Sequence, residues 1–187
     1  MELSFKIKEI PATGAPLRVR RKVPAPLLAE VLTDTGGDPV RSQAELEVEL
    51  FREHDEVIGR GRVRGALCLP CSRCLEPARV PIDARLDLLF RREGLADDER
   101  NRDEIEVDPN EPDSFTHDGL TLSLAEPLRE LLIAELPIAP LCKEDCAGLC
   151  PSCGANRNTP EGRACGHVGA EPPHGPLAAL FDLKLPS

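Results

Sequence analysis

The sequence predicts an α+β fold, in which a small antiparallel, barrel-like β-meander domain is followed by a helix and a cysteine-rich loop region. Three observations support this prediction. Apolar and charged or small residues alternate over 44–51, 57–67 and 79–90, which is the pattern of half-buried strands. Leucines recur at helical spacing over 122–136, and a proline follows. Eight cysteines fall into three clusters, two of which come after that helix.

These features divide the chain into three parts. Residues 1–90 are predicted to form an antiparallel β-domain, and residues 120–187 a helix plus a cysteine-rich region that packs on it. Residues 91–119 carry 4 basic and 11 acidic side chains, whereas residues 1–90 carry 14 of each. Such a polar, acidic stretch is typical of a solvated linker. The formal net charge of −10 disfavours bulk electrostatic binding to free nucleic acid.

Shorter elements are predicted from local patterns. A serine followed three residues later by a glutamate indicates a capping box at the start of the leucine-rich helix, and prolines are tolerated at the start of a helix. The predicted elements are a strand over 3–10, a helix over 24–32, a turn over 35–39, the capping pair Ser123 and Glu126, and a helix over 176–183.

The predicted hairpin has a register that matches charges across its two strands. If Arg52 pairs with Val57 around a four-residue loop, three glutamates of the first strand face three arginines of the second. The arginines are then interpreted as neutralised by the opposite glutamates. A nucleic-acid-binding stripe is the alternative. The expected pairs are Glu49 with Arg60, Glu47 with Arg62, and Glu45 with Arg64, and Gly59, Gly61 and Gly65 are placed on the apolar face.

The cysteines are expected to be reduced. No segment approaches the run of about 18 apolar residues that a membrane helix needs. The N-terminal residues alternate in character and lack the continuous apolar run of a secretory signal. We therefore expect a cytoplasmic protein, without membrane association, in which clustered cysteines indicate metal or redox chemistry more than disulfides.

The last cysteine cluster contains one complete ligand set for zinc. Cys150, Cys153, Cys165 and His167 follow the spacing C-x2-C-x11-C-x-H. Zinc takes four thiolate or imidazole ligands in a tetrahedron, and a CxxC turn places two of them on one ion. A glycine follows the CxxC, and another separates the last two ligands, as turns require.

The remaining cysteines suggest a second set, which would tie the turn after the hairpin to the end of the helix. This set comprises Cys71, Cys74, Cys142 and Cys146. Cys68 is then left over as a buried thiol. An alternative places Cys142, Cys146, Cys150 and Cys153 around one ion.

Zinc with a structural role is the favoured interpretation of these sets. Disulfides, a redox-active CxxC and an iron–sulfur cluster are the alternatives, and the histidine ligand favours zinc. Catalytic zinc keeps one open position, whereas both predicted sets are closed, so we expect two structural Zn²⁺ ions. His54, His117 and His174 are each predicted to lie in loops, with His174 as a fallback ligand. No catalytic residues and no small-molecule substrate are evident.

Three segments carry a family resemblance. CSRCLEP (71–77), LAEPLRELLIAELPIAPLC (124–142) and EDCAGLCPSCGANRN (144–158) resemble the YceD family, the large ribosomal RNA subunit accumulation proteins. The resemblance covers most of the chain. It places family motif positions on the cysteine pairs 71 and 74, 142 and 146, and 150 and 153. The family commonly ends in C-x-C, where this chain has Cys165-Gly-His167.

The resemblance implies a role in 23S rRNA accumulation and large ribosomal subunit biogenesis. We expect a non-enzymatic, zinc-binding factor whose partners are large-subunit components, either 23S rRNA, a ribosomal protein or both. The acidic 91–119 stretch is a candidate contact for a basic ribosomal protein. The alternatives are a zinc-dependent RNA-processing or thiol-redox enzyme, and a zinc-binding transcription adaptor.

Overall fold

The computed structural model describes residues 3–12, 14–94 and 112–167, which form an α+β fold. Its elements are β1 (Ser4–Lys6), a 3₁₀ helix (Ile7–Glu9), β2 (Leu17–Lys22), α1 (Ala25–Leu32), β3 (Gln43–Glu53), β4 (Glu56–Pro70), β5 (Pro77–Arg92), β6 (Asp113–His117), β7 (Thr121–Ser123), α2 (Ala125–Ala134) and α3 (Pro160–Arg163). None of the helices in these residues has the length and apolar character needed to cross a membrane.

The main sheet has five strands in the order β2-β3-β4-β5-β6. Neighbouring strands are antiparallel except β5 and β6, which run parallel and pair Phe90 with Phe115. Within the described residues, the outer strands β2 and β6 do not pair with each other, so the sheet is open. The predicted meander is present as β3-β4-β5, but the barrel-like closure is not confirmed. β1 and β7 form a separate antiparallel pair.

The predicted register of the hairpin is confirmed. Arg52 pairs with Val57, and the three glutamates of β3 lie opposite the three arginines of β4. The turn is tighter than expected, because both strands continue to Glu53 and Glu56. Only His54 and Asp55 remain in it, and His54 takes a left-handed φ of 56°.

The arginines of β4 form ion pairs, but not with the glutamates opposite them. Their ion pairs go to aspartates of β5, and the glutamates of β3 bind arginines of β2 instead. The hairpin pattern did not reveal that β2 and β5, the strands on either side of the hairpin, supply the charged partners. The pairs are Arg60 with Asp87, Arg62 and Arg64 with Asp83, Arg18 with Glu49, and Arg20 with Glu45 and Glu47.

The other face of the sheet is covered by α1 and α2, which pack into one aliphatic core with it. Leu28 and Leu32 of α1 and Leu128 and Leu132 of α2 are each at most 2% exposed. The first ninety residues and the C-terminal helix thus share a core. Burying side chains of this size contributes about 1.5–3 kcal/mol each relative to leaving them exposed.

The first predicted strand and the long helix are both shorter than expected. Residues 4–6 pair with residues 121–123, so Leu122 belongs to β7 and α2 begins only at Ala125. The Ser123 hydroxyl accepts a hydrogen bond from the Ala125 N–H at 3.2 Å, but the predicted capping box with Glu126 is absent. Tertiary pairing with β1 therefore overrides the helical spacing.

The predicted 91–119 linker is structured at both described ends. β5 extends to Arg92, and β6 occupies 113–117, where Phe115 packs against Phe90 with ring centroids 5.8 Å apart. His117 lies on β6 and is buried, not in a loop as predicted. Its Nε2 lies 2.8 Å from the Asp55 carbonyl oxygen, and its Nδ1 accepts from the Gly119 N–H. Residues 95–111 lie outside the described residues, as do His174 and the predicted helix over 176–183.

Gly61 provides a test of how closely β3 and β4 approach. A Cβ at this position would lie 2.7 Å from the Cα of Val48 and would overlap the Glu47 carbonyl oxygen. We expect Gly61→Ala to lower the free energy of unfolding by about 1–3 kcal/mol, as overpacking does. Urea denaturation of the metal-loaded protein measures this change.

Gly59→Ala is the matched control on the same strand. Its Cβ would lie 3.3 Å from the flexible tip of Leu50 and at an ordinary contact distance of 3.5 Å from Leu88, and alanine is the better strand residue. We expect a near-neutral effect. Equal destabilisation by the two variants would contradict the proposed close approach at Gly61.

Candidate metal centres

Four cysteines from two distant parts of the chain converge beside the end of the sheet. Cys71 and Cys74 lie in the turn between β4 and β5, and Cys142 and Cys146 follow α2. We call these four residues the first set. All four Sγ atoms lie within 4.8 Å of one another, and all side chains but Cys142 are buried.

The sulfur separations fit a tetrahedral metal better than a disulfide. The Sγ atoms of Cys71 and Cys146 are 3.7 Å apart, and those of Cys74 and Cys142 are 3.6 Å apart. Four sulfurs around zinc at about 2.3 Å stand about 3.8 Å from each other in a regular tetrahedron. A disulfide requires about 2.05 Å. The first set is therefore arranged to hold a tetrahedral ion.

Backbone hydrogen bonds shape the turn that presents Cys71 and Cys74. The Cys71 N–H donates to the Glu76 carbonyl at 2.9 Å, and the Leu75 N–H donates to the Cys71 carbonyl at 2.9 Å. Leu75 adopts a left-handed φ of 63°, which is rare for a leucine. The Ser72 N–H and hydroxyl both donate to Pro140. These bonds join the turn to the segment after α2.

Arg73 lies between Cys71 and Cys74 in the sequence and binds the segment that contains Cys146. Its Nη1 donates to the Cys146 carbonyl at 3.0 Å, and its own carbonyl accepts from the Leu149 N–H at 3.0 Å. The three buried cysteines of the first set and Ala78 form a small apolar cluster, against which Leu149 packs, separate from the main core.

The second set is local and lies nearer the surface. It consists of Cys150, Cys153, Cys165 and His167, whose ligand atoms also lie within 4.8 Å of one another. Cys150 is buried, Cys165 is half-buried, and Cys153 and His167 are exposed. The two sets have the membership that the two-site hypothesis assigns, and the alternative single site would mix ligands that the structure keeps in separate sets.

Left-handed glycines close the turns of the second set. Gly154 has a φ of 72° and donates its N–H to the Cys150 carbonyl at 2.8 Å. Gly166, between Cys165 and His167, has a φ of 70°. Glycine adopts this conformation without steric cost.

Two residues that sequence reasoning missed donate to ligand sulfurs. Asn158 Nδ2 lies 3.4 Å from the Sγ of Cys146, and Arg157 Nη2 lies 3.8 Å from the Sγ of Cys150. Donors of this kind orient ligands and stabilise thiolates. The cysteine pattern carries no signal for them, although both lie in the segment with the family resemblance.

Hydrogen bonds and burial set unequal pKa values within the sets. Burial raises the pKa of Cys71, but the N–H groups of Cys142 and Arg73 outweigh it and lower that pKa to about 6. The Cys153 N–H likewise lowers the pKa of Cys150 to about 6. Burial raises the pKa of Cys74, and desolvation of the Cys142 sulfur, together with its neighbouring thiols, raises the pKa of Cys142 to about 12.

Cys68 takes no part in either set. It lies near the end of β4, its side chain is buried, and its N–H donates to the Ser42 hydroxyl at 2.9 Å. His54 and His117 also lie apart from both sets. Each set thus contains four protein ligands, and the chain's seven ligand thiols and one imidazole are donors that zinc accepts.

We expect two metal ions per chain and separable losses. Cys71→Ser removes a first-set ligand and should reduce the metal content to one, because three ligands hold structural zinc poorly. It should also loosen the junction between the sheet and the segment after α2, whereas Cys153→Ser should loosen only the C-terminal loop. Metal analysis with amide hydrogen exchange measures both effects.

Cys68→Ser is the matched control for this experiment, because Cys68 is a buried cysteine that contacts neither set. It should retain two ions. If Cys71→Ser and Cys153→Ser instead lost one ion in common with the same local effect, the two-site arrangement would be wrong.

Metal affinity of the first set should rise with pH. Binding requires thiolates, and the pKa values of Cys74 and Cys142 are raised, so these two thiols must release protons when the ion binds. We expect the affinity to rise at least about 100-fold per pH unit near neutral pH, a factor of ten for each of these two protons. Competition with a chromophoric chelator at several pH values measures it, and a pH-independent affinity would contradict the ligand assignment.

The comparisons with known proteins agree with the sequence resemblance. A family model described as "Large ribosomal RNA subunit accumulation protein YceD" matches residues 59–184. This range contains all eight candidate ligands. No solved structure is significantly similar to the chain.

Individual relatives are similar over part of their length. An uncharacterized protein of Mycobacterium tuberculosis is 32% identical over 111 residues, which cover 59% of this chain and 49% of the relative. The chloroplastic large ribosomal RNA subunit accumulation protein YCED homolog 1 of Zea mays is 25% identical over 158 residues, covering 74% and 54%. Its Arabidopsis thaliana counterpart is 24% identical over 180 residues, covering 87% and 56%.

The chain spans about half the length of the curated relatives it matches. The family model nevertheless covers more than half of the chain, including the turn, the helix and every cysteine cluster. The chain belongs to the YceD family of large ribosomal RNA subunit accumulation proteins.

Proposed function

We propose that this protein is a non-enzymatic factor, shaped by two structural zinc ions, that promotes 23S rRNA accumulation and biogenesis of the large ribosomal subunit. The observation that carries the proposal is the presence of two complete four-ligand sets in a chain of the YceD family. The maize and Arabidopsis relatives are named for large ribosomal RNA subunit accumulation. We further propose that the protein acts in the cytoplasm, where its thiols stay reduced.

The zinc ions would act by fixing two segments in place. The first set joins the β4–β5 turn to the segment after α2, and the second set closes the loop over 150–167. When bound, zinc supplies a rigid tetrahedral link without redox chemistry. The chain's own residues then hold the resulting surface, through the bonds of Ser72 to Pro140 and of Arg73 to Cys146.

A binding role is supported by the closed ligand sets. Catalytic zinc has three protein ligands and an open position, whereas each set offers four. Outside the sets, the described histidines have other surroundings. His117 is buried between Asp55 and Gly119, and His54 lies in the hairpin turn. Neither is placed beside a candidate ion as a general base.

The partner is proposed to be a large-subunit component recognised by shape. The three arginines of β4 form ion pairs with two aspartates of β5, which reduces the positive charge that this face of the sheet offers to RNA. Beside the first set, by contrast, two large apolar side chains point to solvent. Leu75 is 67% exposed, and Ile138 is fully exposed. They belong to the two segments that the first set joins, so a bound metal would fix their relative position.

Affinity purification of the tagged full chain tests the proposal. RNA and protein identification should reveal enrichment of large-subunit components, and depletion of the protein should lower 23S rRNA. The variant Ile138→Ser should keep both metal ions but lose enrichment, because it removes an exposed apolar contact. Val40→Ser is the matched control, since Val40 is 91% exposed and lies in the loop between α1 and β3, outside the segments that the first set joins. Absence of large-subunit components from the purified wild-type protein would contradict the proposal.

One observation favours a second candidate, a zinc-dependent RNA-processing hydrolase. A polar cavity of about 440 Å³ adjoins the second set and is lined by Arg157, Arg163 and His167, among others. If His167 left the ion, a water could take its place. A single metal with an exchangeable water and RNA cleavage in vitro would favour this candidate.

The remaining alternatives are separated by simple measurements. A thiol-redox enzyme would expose reactive thiols, whereas two bound zinc ions and at most one free thiol would exclude that role. A transcription adaptor would change synthesis of 23S rRNA, whereas the proposed factor changes its accumulation without altering transcription.

A further inference from the structure

The segment 154–158 lies between the two sets and contacts a ligand of each. Three residues, 147–149, separate Cys146 of the first set from Cys150 of the second. Segment 154–158 runs back along this connection. The Cys150 N–H donates to the Ala155 carbonyl at 2.8 Å, and the Arg157 N–H donates to the Gly148 carbonyl at 2.9 Å. Adjacent side chains of this segment then reach sulfurs of different sets.

Asn158 is held in a single orientation toward the first set. Its Nδ2 donates both to the Sγ of Cys146 at 3.4 Å and to the Oδ1 of Asn156 at 2.8 Å. Its Oδ1 accepts from the Ala147 N–H at 3.0 Å. A rotated amide would lose all three hydrogen bonds, because donor and acceptor would exchange places.

The same segment is packed against the element that leads into the second set. A Cβ at Gly162 of α3 would overlap the Asn156 carbonyl oxygen, so α3 lies directly on this residue. The Thr159 hydroxyl donates to the Asn156 carbonyl and accepts from the Gly162 N–H. Only Ala164 separates α3 from the ligand Cys165. The position of the second set's last ligands is thereby linked to the position of Asn156 and Asn158.

Arg157 completes the link on the side of the second set. Its Nη2 donates to the carbonyl oxygen of His167 at 2.9 Å and lies 3.8 Å from the Sγ of Cys150. Its cation therefore lies beside the negative charge that thiolate ligands bring to a bound zinc ion.

We propose that Asn158, together with Arg157, couples the two sets, so that metal bound at one set raises the affinity of the other. The proposal rests on the proposed function only in that both sets bind metal. When the second set is loaded, Cys165 and His167 fix α3, and α3 fixes Asn156 and Asn158 beside Cys146. Because the Asn158 amide is then already ordered, metal binding at the first set costs less conformational entropy. The coupling between the two sets is therefore positive.

A thermodynamic cycle with Co²⁺ on the reduced, metal-free full chain tests the coupling. Co²⁺ has distinct absorption bands with four sulfurs and with three sulfurs and one nitrogen, so the affinity of each set is measured separately. Cys153→Ser disables the second set. We expect it to lower the Co²⁺ affinity of the first set about 10-fold, in the usual range for allosteric coupling.

Asn158→Ala shows whether the coupling passes through this residue. Alone, it should lower the first set's affinity about 10-fold, as loss of a donor to a metal ligand does. In the Asn158→Ala background, Cys153→Ser should cause no further loss at the first set. Lys143→Ala is the control, since Lys143 lies between two first-set ligands and its ammonium pairs with Asp145, which is not a ligand. It should leave the coupling intact.

The reciprocal variant keeps the test decisive if Cys153→Ser folds poorly. Thermodynamic linkage requires that Cys142→Ser, which disables the first set at its exposed ligand, lower the second set's affinity by the same factor. His167→Ala provides another exposed substitution in the second set. Unchanged affinity at the remaining set would overturn the coupling, and an equal loss that persists without the Asn158 amide would overturn its assigned route. Failure of the wild-type chain to bind Co²⁺ would instead contradict the proposed function.

Discussion

The arrangement of the C-terminal region depends on the convergence of four sulfurs in the first set. The main core holds the five-stranded sheet together with α1 and α2, and among the described residues it reaches Leu136, just after α2. In the described residues beyond that point, the chain is hydrogen-bonded to the β4–β5 turn through Ser72 and Arg73. There Cys71 and Cys146, 75 residues apart, bring their sulfurs to 3.7 Å. A crosslink that closes so long a loop removes much of the entropy of the unfolded chain.

The rest of the structure builds outward from that junction. Ser72 and Arg73, which lie between Cys71 and Cys74, donate hydrogen bonds to Pro140 and Cys146 in the segment after α2. That segment leads within four residues to Cys150, so the second set begins where the first one ends. Leu75 and Ile138, two exposed apolar side chains, lie in the two segments that meet at this junction. An aliphatic core and two sets of candidate metal ligands thus order a chain with little aromatic content.

Features with local or complementary signals were predictable from the sequence, and features that depend on distant pairing were not. The β3–β4 register followed from glutamates opposite arginines, although the ion pairs themselves go to β2 and β5. The members of the second set were predicted from the spacing of its ligands, and the first set was predicted by assigning the remaining cysteines in a group of four. β6 was hidden by its acidic neighbours, because its position depends on Phe115 meeting Phe90. Asn158 gave no signal, since an amide donor to sulfur has no characteristic spacing.

The central claim is that two ions are held by seven sulfurs and one nitrogen, in two separate tetrahedral sets. X-ray absorption at the zinc edge of the purified, reduced full chain tests it most directly. The account predicts two zinc ions per chain with a sulfur-dominated ligand shell at about 2.3 Å and a minor nitrogen contribution. A shell dominated by oxygen and nitrogen, or a metal-free protein with sulfur pairs at the disulfide distance of about 2.05 Å, would contradict it.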